Sequence, residues 1–283
     1  MIGQAARGGR LDIKEEAILG DRAASHWYYR AKSAALEAML PARTNRRVMD
    51  VGAGSGFFSK HLARRGLIDE ALCIDPGYEH DRDETVAGAT IRFRRHPEPT
   101  TADVALFMDV LEHVPDDAGL LASYREFLPP GARVIITVPA FQALWSGHDV
   151  FLGHYRRYTR RMLDDTIARA DFRLIESHYY FGLVLPAAAA ARLLSPGRKA
   201  VKSAVRPHGR LVNGILHAAS AIERPLMRHN RVAGLTVCAI CTPAWAAPEK
   251  KKAAGPGPAA SNRPPLKKTG ANPRPLRRAW PSP

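Results

Sequence analysis

The chain has 283 residues, with 42 Lys+Arg against 27 Asp+Glu and 46% hydrophobic residues. That composition can bury a sizeable core and excludes a fully disordered or fibrous chain. The basicity is uneven: residues 246–283 hold nine Lys/Arg (Lys250, Lys251, Lys252, Arg263, Lys267, Lys268, Arg274, Arg277, Arg278) against one acid, Glu249, so the remainder is only mildly basic.

In chain order, an N-terminal helical segment, 1–45, contains a helix from about Asp21 to Leu40 that stops before Pro41. Short β-rich runs follow at Arg47–Val51, Ala71–Asp75, Ile91–Arg94, Val104–Met108 and Arg133–Pro139, with helical patterns between them, Phe57–Arg65 and Ala118–Phe127 among them. Alternating β and α units with nearly unbroken apolar strands predict a parallel sheet covered on both faces. Phe172–His178 and Leu235–Cys241 read as two further strands, closing a domain over 46–245. A helical insertion is expected at about 182–233, including an amphipathic pattern from Leu211 to Met227. The stretch 246–283 carries nine Pro and no apolar periodicity, which predicts a disordered basic tail.

Cys73, Cys238 and Cys241 are too few for a disulfide framework and lie in apolar runs, so buried thiols in a reducing compartment are expected. Cys238 and Cys241 have CxxC-like spacing but no second pair, and metal or redox use is not expected. The opening MIGQAARGGR lacks the apolar stretch of a signal peptide. The longest apolar run, Tyr179–Leu194, is interrupted by Pro186 and Arg192 and is too short to span a bilayer, so a cytoplasmic location is expected.

The sharpest local signal is VMDVGAGSGFF, Val48–Phe58, where a strand ending in Asp50 and Val51 gives way to Gly52, Ala53, Gly54 and Gly56 ahead of a helix. Glycines there allow a tight turn and a close backbone approach by a ligand. The spacing is GxGxG: a dinucleotide fingerprint would need its third glycine where Phe57 stands, and the phosphate-loop pattern is absent. Nineteen residues after Gly56 the second strand ends in Asp75, at the distance where an acid accepts hydrogen bonds from ribose hydroxyls. Together these suggest an adenosine-containing ligand without a pyrophosphate, a description S-adenosylmethionine fits. The fourth strand runs into Asp109, Glu112 and His113, at the edge of an α/β sheet where ligands bind.

The segments VMDVGAGSGF and MDVLEHV resemble the first and fourth-strand motifs of class I S-adenosylmethionine-dependent methyltransferases, over about Arg46 to Pro139. HWYYRAK (His26–Lys32) and VPAFQALWSGHDVFLGHYRRYT (Val138–Thr159) are similar to a bacterial group of that family, of largely unassigned substrate and related to the ubiquinone-pathway type. The resemblance implies a Rossmann-like, doubly wound α/β fold whose seven-stranded sheet ends in an antiparallel strand. It also implies a donor site on Asp50 to Gly56 and Asp75, and donor or acceptor contacts near Asp109.

Methyl transfer from a sulfonium is an in-line displacement, and a hydroxyl acceptor of high pKa also needs a general base. The segment after the fifth strand offers one, because Trp145, His148, Asp149, His154, Tyr155, Arg156 and Arg157 crowd a loop of little apolar periodicity. His148 is the expected base with Asp149 as its orienting carboxylate. His154, with Arg156 and Arg157, is expected to hold an anionic or hydroxylated acceptor, and Trp145 and Tyr155 to line its site. The arginines could instead form a solvated face and the tyrosines could be packing residues. His148, Asp149 and His154 match no metal-site spacing, and no metal is expected. Trp27, Tyr28 and Tyr29 are expected to form an aromatic lid over the donor.

The function expected is methyl transfer, most readily O-methylation, to a small-molecule or lipid-linked acceptor. An anionic membrane surface is a candidate partner, because apolar Phe181–Leu194 adjoins basic residues, and the inner membrane is then a peripheral site. The alternative is an RNA or other nucleic-acid methyltransferase using the basic tail, but the fourth strand lacks the Asn/Asp-Pro-Pro-Tyr type of motif that base-amino methyltransferases carry.

Overall fold

In a computed structural model the structure describes residues 24–42, 45–194, 201 and 209–244. All fall in the unit Arg7–Ala244. The basic tail expected at 246–283 lies outside the described residues.

The first described helix, α1 (Trp27–Met39), has His26 as its N-cap, whose side chain accepts from the Tyr28 N–H. It is followed by β1 (Arg47–Val51), α2 (Phe57–Arg64), β2 (Glu70–Ile74), β3 (Arg82–Val86), β4 (Ala89–Arg94) and β5 (Val104–Met108). Then come α3 (Asp117–Ser123), β6 (Arg133–Pro139), α4 (Gly147–Leu152), α5 (Arg160–Arg169), β7 (Phe172–Tyr180), α6 (Leu185–Leu194), α7 (Arg210–Glu223) and β8 (Thr236–Pro243). No described helix is long and apolar enough to cross a membrane.

The sheet has the order β3-β4-β2-β1-β5-β6-β8-β7. Strands β4, β2, β1, β5 and β6 are parallel, and β8 runs antiparallel to both β6 and β7. Alternate residues feed opposite layers. Val104, Leu106 and Met108 of β5 face the core shared with α1 and α2, while Ala105 and Phe107 face the core under α3 and α5. A strand packed on both faces must be apolar at every position, which is why β5 reads as the unbroken run VALFM. The same alternation sends Cys238 into the first core and Cys241 into the second, so their thiols lie on opposite faces of β8 and cannot share a ligand.

The α/β fold class stands, but the sheet has eight strands rather than seven. The added one, β3, forms a hairpin with β4 through Ala87 and Gly88, both at positive φ (50° and 87°). It is an edge strand of sequence RDETV whose residues are half-buried or exposed. Charge on an edge strand discourages pairing with other chains, and it also removes the apolar alternation by which a strand is read.

Candidate active site

The carboxyl ends of β1, β2 and β5 converge on the glycine loop. Gly52 and Ala53 donate their N–H groups to the Ile74 carbonyl at 2.8 and 3.2 Å, fastening the loop to the end of β2. Gly52 and Gly56 are left-handed at φ 66° and 74°, and a Cβ on either would stand 2.9 Å from a side-chain carbon, of Val110 and Phe93 respectively. No other residue meets both conditions. Gly56 caps α2.

Asp75 is buried, and its carboxylate is fixed by two backbone donors, Gly54 N at 3.2 Å and Gly77 N at 2.7 Å. Burial pushes its carboxyl up, opposed by those two bonds. Two oxygens held this way retain acceptor capacity for a pair of hydroxyls, the chemistry that adenosine's ribose presents.

Asp50 is buried beneath the loop and accepts from the Ser59 hydroxyl at 2.7 Å. Burial pushes its carboxyl up to about 7. The folded chain therefore keeps a proton that the unfolded chain releases above about pH 4. Stability falls as pH rises from there through about 7, because the folded state binds more protons across that window. Asp50→Asn, which still accepts from Ser59, is expected to flatten this part of the curve and to gain stability at about pH 8 relative to about pH 5. Urea unfolding at the two pH values checks it, and an unchanged slope contradicts it.

Asp109 follows β5 with φ 57°, a left-handed conformation that short polar residues tolerate. Its N–H donates to the Thr137 carbonyl at 2.9 Å, and its carboxylate accepts from the Thr137 hydroxyl at 3.1 Å and the Tyr28 hydroxyl at 3.3 Å. It also pairs with the ammonium of Lys32, on α1. Burial works against the Lys32 charge, but the Asp109 carboxylate outweighs it and raises its pKa. Sequence reading passed over Lys32, although Tyr28 and Lys32 stand four apart on one helix face. Lys32→Met is expected to cost about 2 kcal/mol, below the ~3–5 kcal/mol of a fully buried pair because Asp109 is partly exposed. Denaturant unfolding reads the loss, and adding Asp109→Asn to the same chain should recover much of it.

The aromatic residues before the first strand form a roof beside this pair. Tyr28 stacks on Phe181 at 5.5 Å, Trp27 meets Phe181 edge-on at 5.6 Å, and Tyr29 meets Phe57 at 5.0 Å. Trp27 and Tyr29 are buried, so they pack the helix down, and of the three it is Tyr28 that reaches Asp109.

Beyond Asp109 a single 3-10 turn, Leu111–His113, points the chain toward the segment after β6. Here the structure revises the pairings expected from sequence. Ser146 and Asp149 form a capping box at the start of α4, with the Asp149 carboxylate accepting from Ser146 N at 2.9 Å. That turns Asp149 away from its neighbour in sequence, His148, and toward His154 Nδ1 at 3.0 Å and Arg157 Nε at 2.6 Å. Burial opposes ionisation of Asp149, but the bond with His154 and the Arg157 guanidinium outweigh it and hold its carboxyl well below the usual carboxylate range. Asp149 thus orients His154, not His148. Burial, together with the nearby Arg192, pushes His148 down to about 3.

The two arginines expected to hold an acceptor are engaged with internal groups instead. Arg157 is buried and also donates to the Ala140 carbonyl at 3.2 Å. Arg156 pairs with Asp117 at 3.0 Å and donates to the Pro115 carbonyl at 2.6 Å. Tyr155 is exposed, and its N–H donates to the Glu112 carbonyl at 2.7 Å. Trp145 is half-buried just ahead of α4.

Glu112 is fully buried, and neither carboxylate oxygen has a hydrogen-bond partner among the described residues. Burial and the nearby Asp109 carboxylate hold its carboxyl well above the usual range. The His113 and His154 rings meet edge-on at 4.6 Å. One ligand atom from each of Glu112, His113 and His154 lies within 4.8 Å of the others. Among the described residues this trio, rather than His148, Asp149 and His154, has the geometry that could hold a cation.

Residues 24–177 match the methyltransferase-domain family. The chain belongs to that family. Its donor, S-adenosylmethionine, fits the loop and carboxylate described above in the chemistry it requires. An uncharacterized methyltransferase from Mycobacterium sp. (strain JLS) is 32% identical over 127 residues, 41% of this chain and 50% of that protein. The ubiquinone biosynthesis O-methyltransferase of Acinetobacter baumannii (strain AYE) is 28% identical over 152 residues, 45% of this chain and 62% of that protein. The chain thus spans about half to three-fifths of these curated relatives. Among solved structures, a chain from the Haloferax volcanii complex with the Trm112 methyltransferase activator shares the fold, with a TM-score of 0.55 and 16% identity over 86% of this chain and 99% of that one.

Proposed function

We propose that this methyltransferase transfers a methyl group from S-adenosylmethionine to a hydroxyl of a small-molecule or lipid-linked acceptor. The observation that carries the reading is the glycine loop fastened to β2 beside the doubly anchored Asp75. Asp75 would take the ribose hydroxyls, and Asp50, Gly52, Ala53, Gly54, Gly56 and Asp109 would line the rest of the donor. Bound there, S-adenosylmethionine supplies an electrophilic methyl group on a sulfonium.

Everything else falls to the chain's own groups. The ionised Asp149 carboxylate makes Nδ1 of His154 the protonated nitrogen, which leaves Nε2 as the base that takes the hydroxyl proton. Asp149 is a positioning residue, and Arg157 and Ser146 hold it in turn. Tyr28, Phe181 and Trp27 exclude water from the Asp109 side. O-methylation is favoured by this oriented imidazole, which an amine acceptor does not require, and by the likeness to a ubiquinone biosynthesis O-methyltransferase.

Incubation of the protein with S-adenosylmethionine and matched sets of catechols, phenols and amines tests the proposal. Methylated products should be confined to the hydroxylated compounds and increase with their apolar chain length. Product from amines alone, or from RNA alone, overturns it.

A further inference from the structure

Helix α7 is apolar on both faces. Its inward face packs Leu216 and Ala219 against the core and carries Ser220, Glu223 and, in the 3-10 turn that follows, Met227, all three buried. The inward polar groups are satisfied: Glu223 accepts from the N–H groups of Gly182 and Leu183 at 2.8 and 3.1 Å, and the Ser220 hydroxyl donates to the Leu216 carbonyl at 2.8 Å. The outward face carries Leu211, Ile215 and Ile222, and the 3-10 turn adds Leu226, exposed by 77, 59, 71 and 67%. These lie at intervals of about one or two helical turns, so they form one continuous apolar stripe rather than scattered exposed side chains.

Arg30 and Arg224 stand near enough to His217 of α7 to push its pKa down, and the chain leading into the helix carries charge of one sign. Between Glu176 and Glu223 the sequence has no acid and six Lys/Arg: Arg192, Arg198, Lys199, Lys202, Arg206 and Arg210. Glu223 itself is spent on the Gly182 and Leu183 amides. An apolar stripe flanked along the chain by cations complements a surface that is apolar below and anionic above, which is the interface of an anionic bilayer.

We infer that α7 is a membrane-docking face that seats the enzyme on anionic lipid. It differs from the Phe181–Leu194 stretch singled out in the sequence, where the exposed positions over 185–192 are Pro186, Ala187, Ala190 and Ala191. Docking there has a route to the active site. The Asn213 side chain accepts from Trp27 N at 2.7 Å and donates to the Ser25 carbonyl at 3.1 Å, joining α7 to α1, and α1 carries Tyr28 and Lys32 to Asp109. An acceptor dissolved in the bilayer would then arrive beside the roof of the site. The inference rests on the lipid-linked acceptor reading for the class of acceptor delivered, whereas the docking itself is measurable apart from turnover.

Flotation of the full chain with phosphatidylglycerol–phosphatidylcholine vesicles, and with phosphatidylcholine vesicles alone, tests it. Wild type should float with the anionic vesicles at low salt, and the triple variant Ile215→Ser, Ile222→Ser, Leu226→Ser should partition about tenfold more weakly or less. Donor binding by calorimetry should be equal in the two, which shows the variant folded and keeps the result separate from the donor site. Wild type that stays at the bottom overturns the proposal. So does equal flotation of the two proteins, since both keep the Lys/Arg of 250–278 and that result would assign the adhesion to those residues. Self-association of wild type that the triple variant abolishes also overturns it, because the stripe would then be covered by a second copy.

Discussion

Asp75→Ala is expected to weaken S-adenosylmethionine binding by about 100-fold or more, measured by calorimetric titration. The carboxylate offers charge-assisted acceptance to two ribose hydroxyls, and hydrogen bonds to a charged group are worth ~1.5–3 kcal/mol each. The lower end of the two together gives roughly 100-fold. The variant also leaves the N–H groups of Gly54 and Gly77 without their acceptor, so the loop itself loosens. Asp75→Asn separates the effects: it keeps an acceptor oxygen for one backbone donor but carries no charge. Binding intermediate between wild type and the alanine variant is expected. Wild-type affinity in both variants would mean that the buried carboxylate only staples the loop and that the donor is held elsewhere.

The juxtaposition of the glycine loop with Asp75, the proposed donor site, was legible because its information is local. One glycine loop and one acid at the end of the next strand are separated by a fixed number of residues, and parallel pairing of β1 with β2 brings their ends together whatever else the chain does. The pairings on the proposed acceptor side were not legible, because they are set by a helix cap. His148 stands next to Asp149 in sequence, yet Ser146 and Asp149 form an S-x-x-D capping box that turns the carboxylate back over the first turn of α4. That spacing is visible in the sequence, and it would have pointed Asp149 away from His148. The choice of His154 could not have been read there, since it depends on the left-handed Gly153 that ends α4. Lys32, and the burial of Glu112 though not its place at the sheet edge, were hidden for another reason. Burial of an ionisable side chain is decided by what packs over it, and α1 and the segment after β6 come from opposite sides of β5 in the chain.

His154→Asn is expected to lower kcat by about 10²–10⁴-fold for an unactivated phenol, the contribution of a positioned general base. KM for the acceptor and affinity for S-adenosylmethionine should change little. The diagnostic is how the loss varies with the acceptor. A base matters in proportion to how firmly the hydroxyl holds its proton, so the deficit should shrink steadily as nitro substituents make the phenol more acidic and should nearly vanish for one already ionised in solution. A deficit that is the same for every phenol would assign His154 to holding the acceptor in place. His148→Asn supplies the comparison, because burial and Arg192 push the pKa of that imidazole down and the Asp149 carboxylate is bonded to His154 instead. A loss at His148 as large as at His154, with the same dependence on phenol acidity, would return the base to the residue that the order of the sequence suggested. The expected asymmetry comes from one geometric fact: the Asp149 oxygen not occupied by Ser146 is shared between His154 and Arg157.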